Sequence, residues 1–136
     1  MAYTINKTPH VQDEVTIQDG DKTLTVAVDL YVDDVLADIG RVRAELAEAQ
    51  ARVQDLKKQE AGRDEVVAAI QQMDRAAMEL FGLIFGEDQT EELNRFYDGR
   101  TLSMLGDFIP YFTDVILPAV TDAQKRLADT YTAWRR

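Results

Sequence analysis

Seven apolar residues recur along positions 35–56 with alternating steps of four and three, and this stripe constrains the fold more than any other feature. They are Val35, Ile39, Val42, Leu46, Ala49, Val53 and Leu56. Such steps repeat every 3.5 residues on average, so the side chains line one face of an α-helix over about three heptads. Arg, Glu, Gln and Lys fill the other faces. The spacing predicts a helix from about Val32 to Glu60, which would span roughly 40 Å.

A second stripe with the same spacing follows Gly62, and its members are Val66, Ile70, Met73, Ala77, Leu80 and Ile84. Extending the first stripe through this point would place Glu60 and Arg63 on the apolar seam. We therefore predict a turn, with Asp64 capping the second helix, and an αα-hairpin as the simplest arrangement. The sequence leaves open whether the two helices pack on each other or on a partner.

Before the helices, two short runs alternate between apolar and polar residues. The apolar positions are Val11, Val15, Ile17, Leu24, Val26 and Val28, with Asp19-Gly20 between the runs. Asp-Gly between alternating runs predicts a β-hairpin, because Gly adopts positive φ without steric cost. A two-residue and a four-residue turn keep the same apolar face, so the register stays open. An isolated hairpin is marginal in water and must dock on a helix or on a neighbouring subunit.

Glycines and capping residues divide the chain after the second helix. Gly86 is expected to end that helix, since a glycine commonly follows a helix C-terminus. Asp88 and Glu91 resemble a capping box that opens a short helix, which Gly99 would end. A further short helical segment is therefore expected over about residues 88–99.

The last third of the chain predicts two more helices. Thr101 is expected to start one of them, and Pro110 to kink or restart it because proline lacks a backbone donor. Pro118 is expected in the first turn of a last helix that runs to Trp134. The predicted fold is mainly α: an N-terminal arm and β-hairpin over residues 1–30, then a helical domain over 31–136. That domain contains the long heptad-patterned helix, the αα-hairpin and a C-terminal bundle of short helices, as a single compact unit or two small lobes.

The charge balance restricts the partners of the chain. The net charge is -10, from 25 acidic and 15 basic residues, which disfavours nucleic acid and anionic membranes because both bind through Lys and Arg. Residues 121–136 hold four basic and two acidic groups, so a tail of +2 follows a body of about -12. This asymmetry suits weak self-association or an acidic partner. No stretch reaches the roughly 18 apolar residues of a membrane span, and residues 1–10 lack a signal-peptide core. A cytoplasmic location is expected.

Reactive residues form no recognisable constellation, so neither an enzyme nor a cofactor or metal protein is predicted. There is no cysteine, and the single histidine, His10, lies in the polar arm. The segment 19–21, Asp-Gly-Asp, lacks the glycine and glutamate positions of an EF-hand and is a turn instead. The denser acidic group at the start of the long helix suits helix capping, by Asp33 or Asp34, and the helix dipole. Its members are Asp29, Asp33, Asp34 and Asp38.

Aromatic residues are concentrated between positions 81 and 112. They are Phe81, Phe85, Phe96, Tyr97, Phe108, Tyr111 and Phe112. Helical spacing of this kind usually indicates core. Aromatic residues around short helices and glycine caps can instead form a groove or patch that receives another protein chain. These seven residues are therefore the candidate protein-binding residues.

Three features of the second half of the chain resemble the tail assembly chaperones of long-tailed bacteriophages that infect Gram-positive hosts. They are Leu83-Ile84-Phe85-Gly86, an acidic short helix ending in Phe96-Tyr97-Asp98-Gly99, and Met104 followed by the segment from Phe108 to Pro118. The resemblance covers roughly Arg63 to Trp134. It implies a small, acidic, helical protein of the infected cell's cytoplasm, which binds the tape-measure protein, recruits tail-tube subunits and is absent from the finished virion.

Two hypotheses follow from the pattern and the resemblance together. The first is the assembly chaperone, with partner contacts in the region from Phe81 to Phe112 and homo-oligomers formed through the hairpin edges or the 32–60 helix. The alternative is a coiled-coil structural or adaptor protein, such as a minor virion component, in which the heptad stripe forms a stable dimer.

Overall fold

A computed structural model describes residues 2–135, and its order of elements confirms a mainly α protein with an N-terminal β-hairpin. The strands are β1 (Val11–Asp19) and β2 (Lys22–Leu30). The helices are α1 (Val32–Lys58), α2 (Arg63–Phe85), α3 (Glu87–Phe96), α4 (Thr101–Tyr111) and α5 (Leu117–Arg135), with a π-helical turn over Phe112–Ile116 between α4 and α5. The long helix begins where its stripe predicts and ends two residues before Glu60.

The hairpin closes through the shorter of the two turns that the sequence allowed. Asp19 pairs with Lys22, which leaves a two-residue loop whose first residue, Gly20, has φ +60°. This register places the apolar residues of both strands on one face, and β2 rests that face on α2 and α3. Val26 and Val28 are almost completely buried. The hairpin therefore docks on the helices of its own chain.

Helices α1 and α2 form the predicted αα-hairpin and pack on each other. Val42 and Ala49 of α1 are fully buried, as are Ala69 and Ala77 of α2. The alanines at positions 49, 69 and 77 let the two helix backbones approach closely, while the larger residues of both stripes fill the space between the helices. The heptad stripe of α1 is thus covered by α2 over much of its length.

The hairpin and the helices contribute to one cluster of buried side chains. Val28 of β2, Phe81 of α2, Leu93 of α3, Met104 of α4 and Val120 of α5 all belong to it. The boundary near residue 30 is therefore a change of secondary structure, and the same core continues across it.

The predicted caps of α1 and α2 are wrong. The N-cap residues are Tyr31 and Gly62, and neither makes a side-chain capping bond. Asp33, Asp34 and Asp64 lie inside the first helical turns. There each carboxylate interacts favourably with the positive end of the helix dipole and makes no capping hydrogen bond.

The capping box predicted for α3 is also absent. Gly86 ends α2 as predicted, and with φ +83° it turns the chain so sharply that α3 begins at the next residue, Glu87. Asp88 is then already inside the helix and cannot cap it. Thr90 is buried and makes a bond of its own: its hydroxyl donates to the Gly86 carbonyl at 2.7 Å.

The chain does not restart at Pro110, because α4 continues through the π turn into α5. The amide of Leu117 donates to the carbonyl of Phe112, five residues earlier. The apolar residues of this segment recur every fourth position: Met104, Phe108, Phe112, Ile116 and Val120. Steps of four drift by about 40° each around an α-helix, and the extra residue of a π turn removes about 100° of the accumulated drift. The π turn therefore returns these side chains to the core.

Candidate protein-binding surfaces

The predicted aromatic residues divide into a buried group and a half-buried group. Phe81, Phe85 and Phe108 are at most 5% exposed, and their rings pack edge to face at centroid distances of 5.1 Å (Phe81 to Phe108) and 5.5 Å (Phe85 to Phe108). Phe112 is half-buried, with its ring 5.3 Å from that of Phe81. These residues are core, and the three buried rings cannot contact a partner in this conformation.

The other aromatic residues, Phe96, Tyr97 and Tyr111, are half-buried beside β1. The hydroxyl of Tyr97 donates to Asp107 at 2.9 Å, and that of Tyr111 donates to Asp13 at 3.3 Å. Burial, reinforced by the neighbouring carboxylates, raises the pKa of both tyrosines to about 12. Both phenols therefore stay neutral. The Tyr97 bond joins the end of α3 to α4, and the Tyr111 bond joins α4 to β1.

These tyrosines line a depression between β1, α3 and α4, which we call the β1 groove. It consists of two adjoining hollows of about 290 and 240 Å³. Its lining residues are Val15, Thr16, Ile17, Gln18, Asp19, Phe96, Tyr97, Asp98, Arg100, Ser103, Asp107, Phe108 and Tyr111. Three of them are acidic, and Arg100 is the one basic residue among them. The smaller hollow therefore has a mainly apolar floor, whereas the larger one is mainly polar and carries Asp19 and Asp98 of the acidic rim.

The two edges of the hairpin differ. The side-chain amide of Gln89 bonds to both backbone groups of Ala27, each at 2.7 Å, and so covers the outer edge of β2 at that residue. Ala27 lies opposite Glu14, so the residues of β1 whose backbone groups face outward are Gln12, Glu14, Thr16 and Gln18. The Glu14 amide donates locally to the Asp13 carboxylate at 2.9 Å. Within residues 2–135 no other hydrogen bond outside the hairpin ladder reaches these outward groups.

The end of α5 carries an exposed apolar surface, which we call the α5 stripe. It consists of Leu127, Tyr131 and Trp134, which are 46%, 62% and 88% exposed. Arg126 pairs with Asp33 at the start of α1 (Nη1 to Oδ2, 3.1 Å), so the residues after it extend past the end of that helix. Nine residues of α-helix extend about 13 Å. The sequence predicted this helix but not the exposure of its apolar residues.

The N-terminal arm is a second exposed apolar segment. Residues 2–10 have no helix or strand, and Tyr3 and Ile5 are 89% and 83% exposed. The base of the arm is held on the body: the His10 ring contacts the Asp29 carboxylate at 3.0 Å, and the Lys7 amine lies 5.3 Å from the Tyr31 ring centroid. Sequence reasoning described this arm only as polar, although Tyr3 and Ile5 already show a period of two.

The remaining surface offers little to a small ligand. An apolar hollow between α1, α2 and the π turn measures about 150 Å³, below the roughly 300 Å³ at which ligand pockets begin. Among residues 2–135, no three acidic or histidine side chains converge as a metal site would require. Three acidic residues near the start of α1 have separate partners: Asp29 contacts the His10 ring, Asp33 pairs with Arg126, and Asp38 pairs with Arg41.

No helix in the described part of the chain has the length and apolar content needed to cross a membrane. No protein-family model, curated protein or solved structure matches the sequence. The function therefore has to be inferred from the exposed surfaces of the molecule.

Proposed function

We propose that this protein is a non-catalytic assembly chaperone for the tails of long-tailed phages. In this role it would bind the tape-measure protein and recruit tail-tube subunits in the host cytoplasm, without remaining in the virion. The observation that carries the proposal is the α5 stripe. It presents three large apolar side chains at positions i, i+4 and i+7 of a projecting helix.

This spacing matches the way in which one helix recognises another. A helix that docks in an apolar groove, or alongside a second helix, places anchors at i, i+4 and i+7 on one face. Tyr and Trp are enriched among the residues that dominate binding energy at protein interfaces, and Trp134 is almost fully exposed. A tape-measure protein is a long helical chain that tends to aggregate, so it offers complementary apolar stripes.

The charge distribution also supports a chaperone. The body of the molecule is strongly acidic, which keeps a complex with an aggregation-prone client soluble by mutual repulsion. Arg135 lies on α5 beside the stripe, with its guanidinium 5.5 Å from the Tyr131 ring centroid, which makes this end of the molecule less acidic than the rest. A client chain can therefore approach the stripe with less repulsion than elsewhere on the surface.

The alternative, a coiled-coil structural component, has less support. A dimer through the α1 stripe would need Val42, Ala49 and Val53, which are buried in the fold of the single chain. Mass spectrometry of purified particles distinguishes the two roles. A chaperone is absent from the virion, whereas a structural component is retained in it.

The proposal can be tested by co-expression with a tape-measure segment that is insoluble alone. We expect the wild-type chain to keep the segment in the soluble fraction and to co-purify with it. Replacing Leu127, Tyr131 and Trp134 with serine should abolish this effect. The matched control replaces Gln124 and Ala128, which are exposed residues of the same helix, with serine. If the stripe variant solubilised the segment as well as the control does, the proposal would be wrong.

A further inference from the structure

We infer that the arm of one copy adds to the β1 edge of a second copy as a third strand of its sheet. The donated segment is residues 2–6, and Tyr3 and Ile5 enter the β1 groove of the receiving copy. The inference goes beyond the proposed function, because it concerns contacts between copies of this chain and makes no use of the α5 stripe.

The receiving edge is open along its length, whereas the other edge of the sheet is occupied at Ala27. Gln89 bonds to both outward backbone groups of Ala27, while a row of exposed residues on β1 presents its outward groups to solvent. An open strand edge is a template for pairing with another extended chain. Each outward-facing residue offers one donor and one acceptor, apart from the Glu14 amide, which bonds locally to Asp13.

The donated segment has the character of a strand. In the sequence Ala-Tyr-Thr-Ile-Asn, residues 2–6, Tyr, Thr and Ile are all favoured in strands, and five residues is an ordinary strand length. Tyr3 and Ile5 alternate, so both project to the same face of an extended chain. In a single copy they face solvent almost completely.

The groove provides an apolar floor for these two side chains. A strand added beside β1 continues the sheet over the depression, so its inward residues lie next to Val15 and Ile17 and over Tyr97 and Tyr111. The two hollows, of about 290 and 240 Å³, are large enough to take one side chain each. Burying Tyr3 and Ile5 there removes the two most exposed apolar residues of the arm from water.

Charge favours the arm over a second β1 strand as the occupant. Pairing two β1 edges would bring Asp13, Glu14 and Asp19 of both copies together, and like charges in neighbouring strands are destabilising. The arm has no acidic residue before Asp13 and contains Lys7. It can therefore approach the acidic rim of the groove without repulsion.

The arm and the groove lie at opposite ends of the hairpin. The arm leaves from Val11, whereas the groove is centred on Ile17 and Tyr97, about 20 Å away along β1 at 3.3 Å per residue. Bonds to Asp29 and Tyr31 hold the base of the arm on the β2 side of the hairpin. The contact is therefore head-to-tail, and such contacts propagate from copy to copy.

Two variants of the full chain test this arrangement by complementation. The first lacks residues 2–6 and keeps its edge. The second carries Thr16→Pro, which removes an outward-facing backbone donor of β1 and keeps the arm. Thr16→Val is the matched control, since it retains the backbone N–H. Circular dichroism establishes that each variant is folded.

Sedimentation equilibrium gives the masses. We expect the wild type and Thr16→Val to form assemblies at multiples of 15.4 kDa, and each of the two variants to be monomeric. An equimolar mixture of the two should form a heterodimer and stop there, because one intact arm meets one intact edge. Ile5→Asp is a separate test that does not depend on the folding of Thr16→Pro, since Ile5 is exposed in the single copy. It takes no part in the complementation, because it disables the arm as the deletion does. Ile5→Asp should weaken self-association of the wild-type chain about tenfold or more.

Three results would overturn the inference. The first is a wild-type protein that stays monomeric at all concentrations, which is the result expected if the arm pairs within its own chain. The second is an assembly that survives deletion of residues 2–6. The third is a mixture of the two variants that remains monomeric. The α5 stripe variant separates this inference from the proposed function. It should still assemble, and the chain lacking residues 2–6 should still bind a short client segment.

Discussion

The side chain of Gln89 bonds to the outward backbone groups of Ala27 as a neighbouring strand would. Replacing Gln89 with alanine tests how firmly the hairpin is docked on the helices. Its Oε1 accepts from the Ala27 amide, and its Nε2 donates to the carbonyls of Ala27 and Phe85, all at 2.7 Å. The first two bonds join α3 to β2, and the third joins α3 to the last residue of α2. Alanine removes all three and leaves the helix backbone intact.

The expected loss follows from these bonds. A hydrogen bond in a folded protein contributes about 1 kcal/mol net, so three contribute at most about 3 kcal/mol. Water can reach the exposed backbone groups of Ala27 after the change, which reduces the free energy lost with the two bonds to Ala27. Alanine is also a better helix former than glutamine by a few tenths of a kcal/mol. We therefore expect Gln89→Ala to lower the free energy of unfolding by about 2 kcal/mol.

Urea denaturation followed by circular dichroism measures this loss, and amide exchange at Ala27 locates it. The matched control is Gln71→Ala, an exposed glutamine of α2, which should leave the free energy of unfolding nearly unchanged. A loss below about 0.5 kcal/mol, together with unchanged protection of the Ala27 amide, would refute the view that Gln89 holds the hairpin.

Two further substitutions test the core and an ion pair, and a pH titration tests the tyrosines. Phe81→Ala should lower the free energy of unfolding by about 3–5 kcal/mol in urea titrations, because it empties the centre of the aromatic core. Arg126→Ala should cost about 1 kcal/mol by the same measurement, since it leaves Asp33 without its partner while Oδ1 of that carboxylate already lacks one. In spectrophotometric titration, Tyr97 and Tyr111 should ionise near pH 12. The unfolded chain loses these protons near pH 10, so their contribution to stability is complete below pH 10 and falls as the pH rises towards 12.

The parts of the fold that depend on local chemistry could be predicted from the sequence. The heptad stripe predicted α1, because a period of 3.5 residues is compatible only with a helix. Gly20 and Gly86 marked a turn and a helix end, and both adopt the positive φ that glycine tolerates best. The π turn escaped prediction, since it arises where apolar steps of four must be fitted to a core that other elements define.

The candidate surfaces were harder to predict, because exposure depends on where other elements end. Leu127 and Trp134 continue the apolar spacing of the last helix. Nothing in that spacing shows that α1 begins only at Val32 and so leaves them uncovered. Conversely, Phe81 and Phe108 are as suitable for an interface as for a core until α2 and α4 are seen to enclose them. The outward-facing residues of β1 could be assigned only from the register of the hairpin and the bonds of Gln89 to Ala27.

The α5 stripe and the arm leave the body from one junction, where Pro9 and His10 lie beside Arg126, whereas the β1 groove lies at the far end of the hairpin. Copies joined from arm to groove would therefore present their stripes repeatedly along one direction. Sites linked in this way bind a long client far more tightly than each stripe alone, because each bound copy raises the effective concentration of the next. We expect deletion of residues 2–6 to weaken binding to a long tape-measure segment by about a hundredfold or more, and binding to a segment that spans one stripe by less than about twofold. Titration of both segments by fluorescence anisotropy measures the two effects, and equal losses for the long and the short segment would contradict the arrangement.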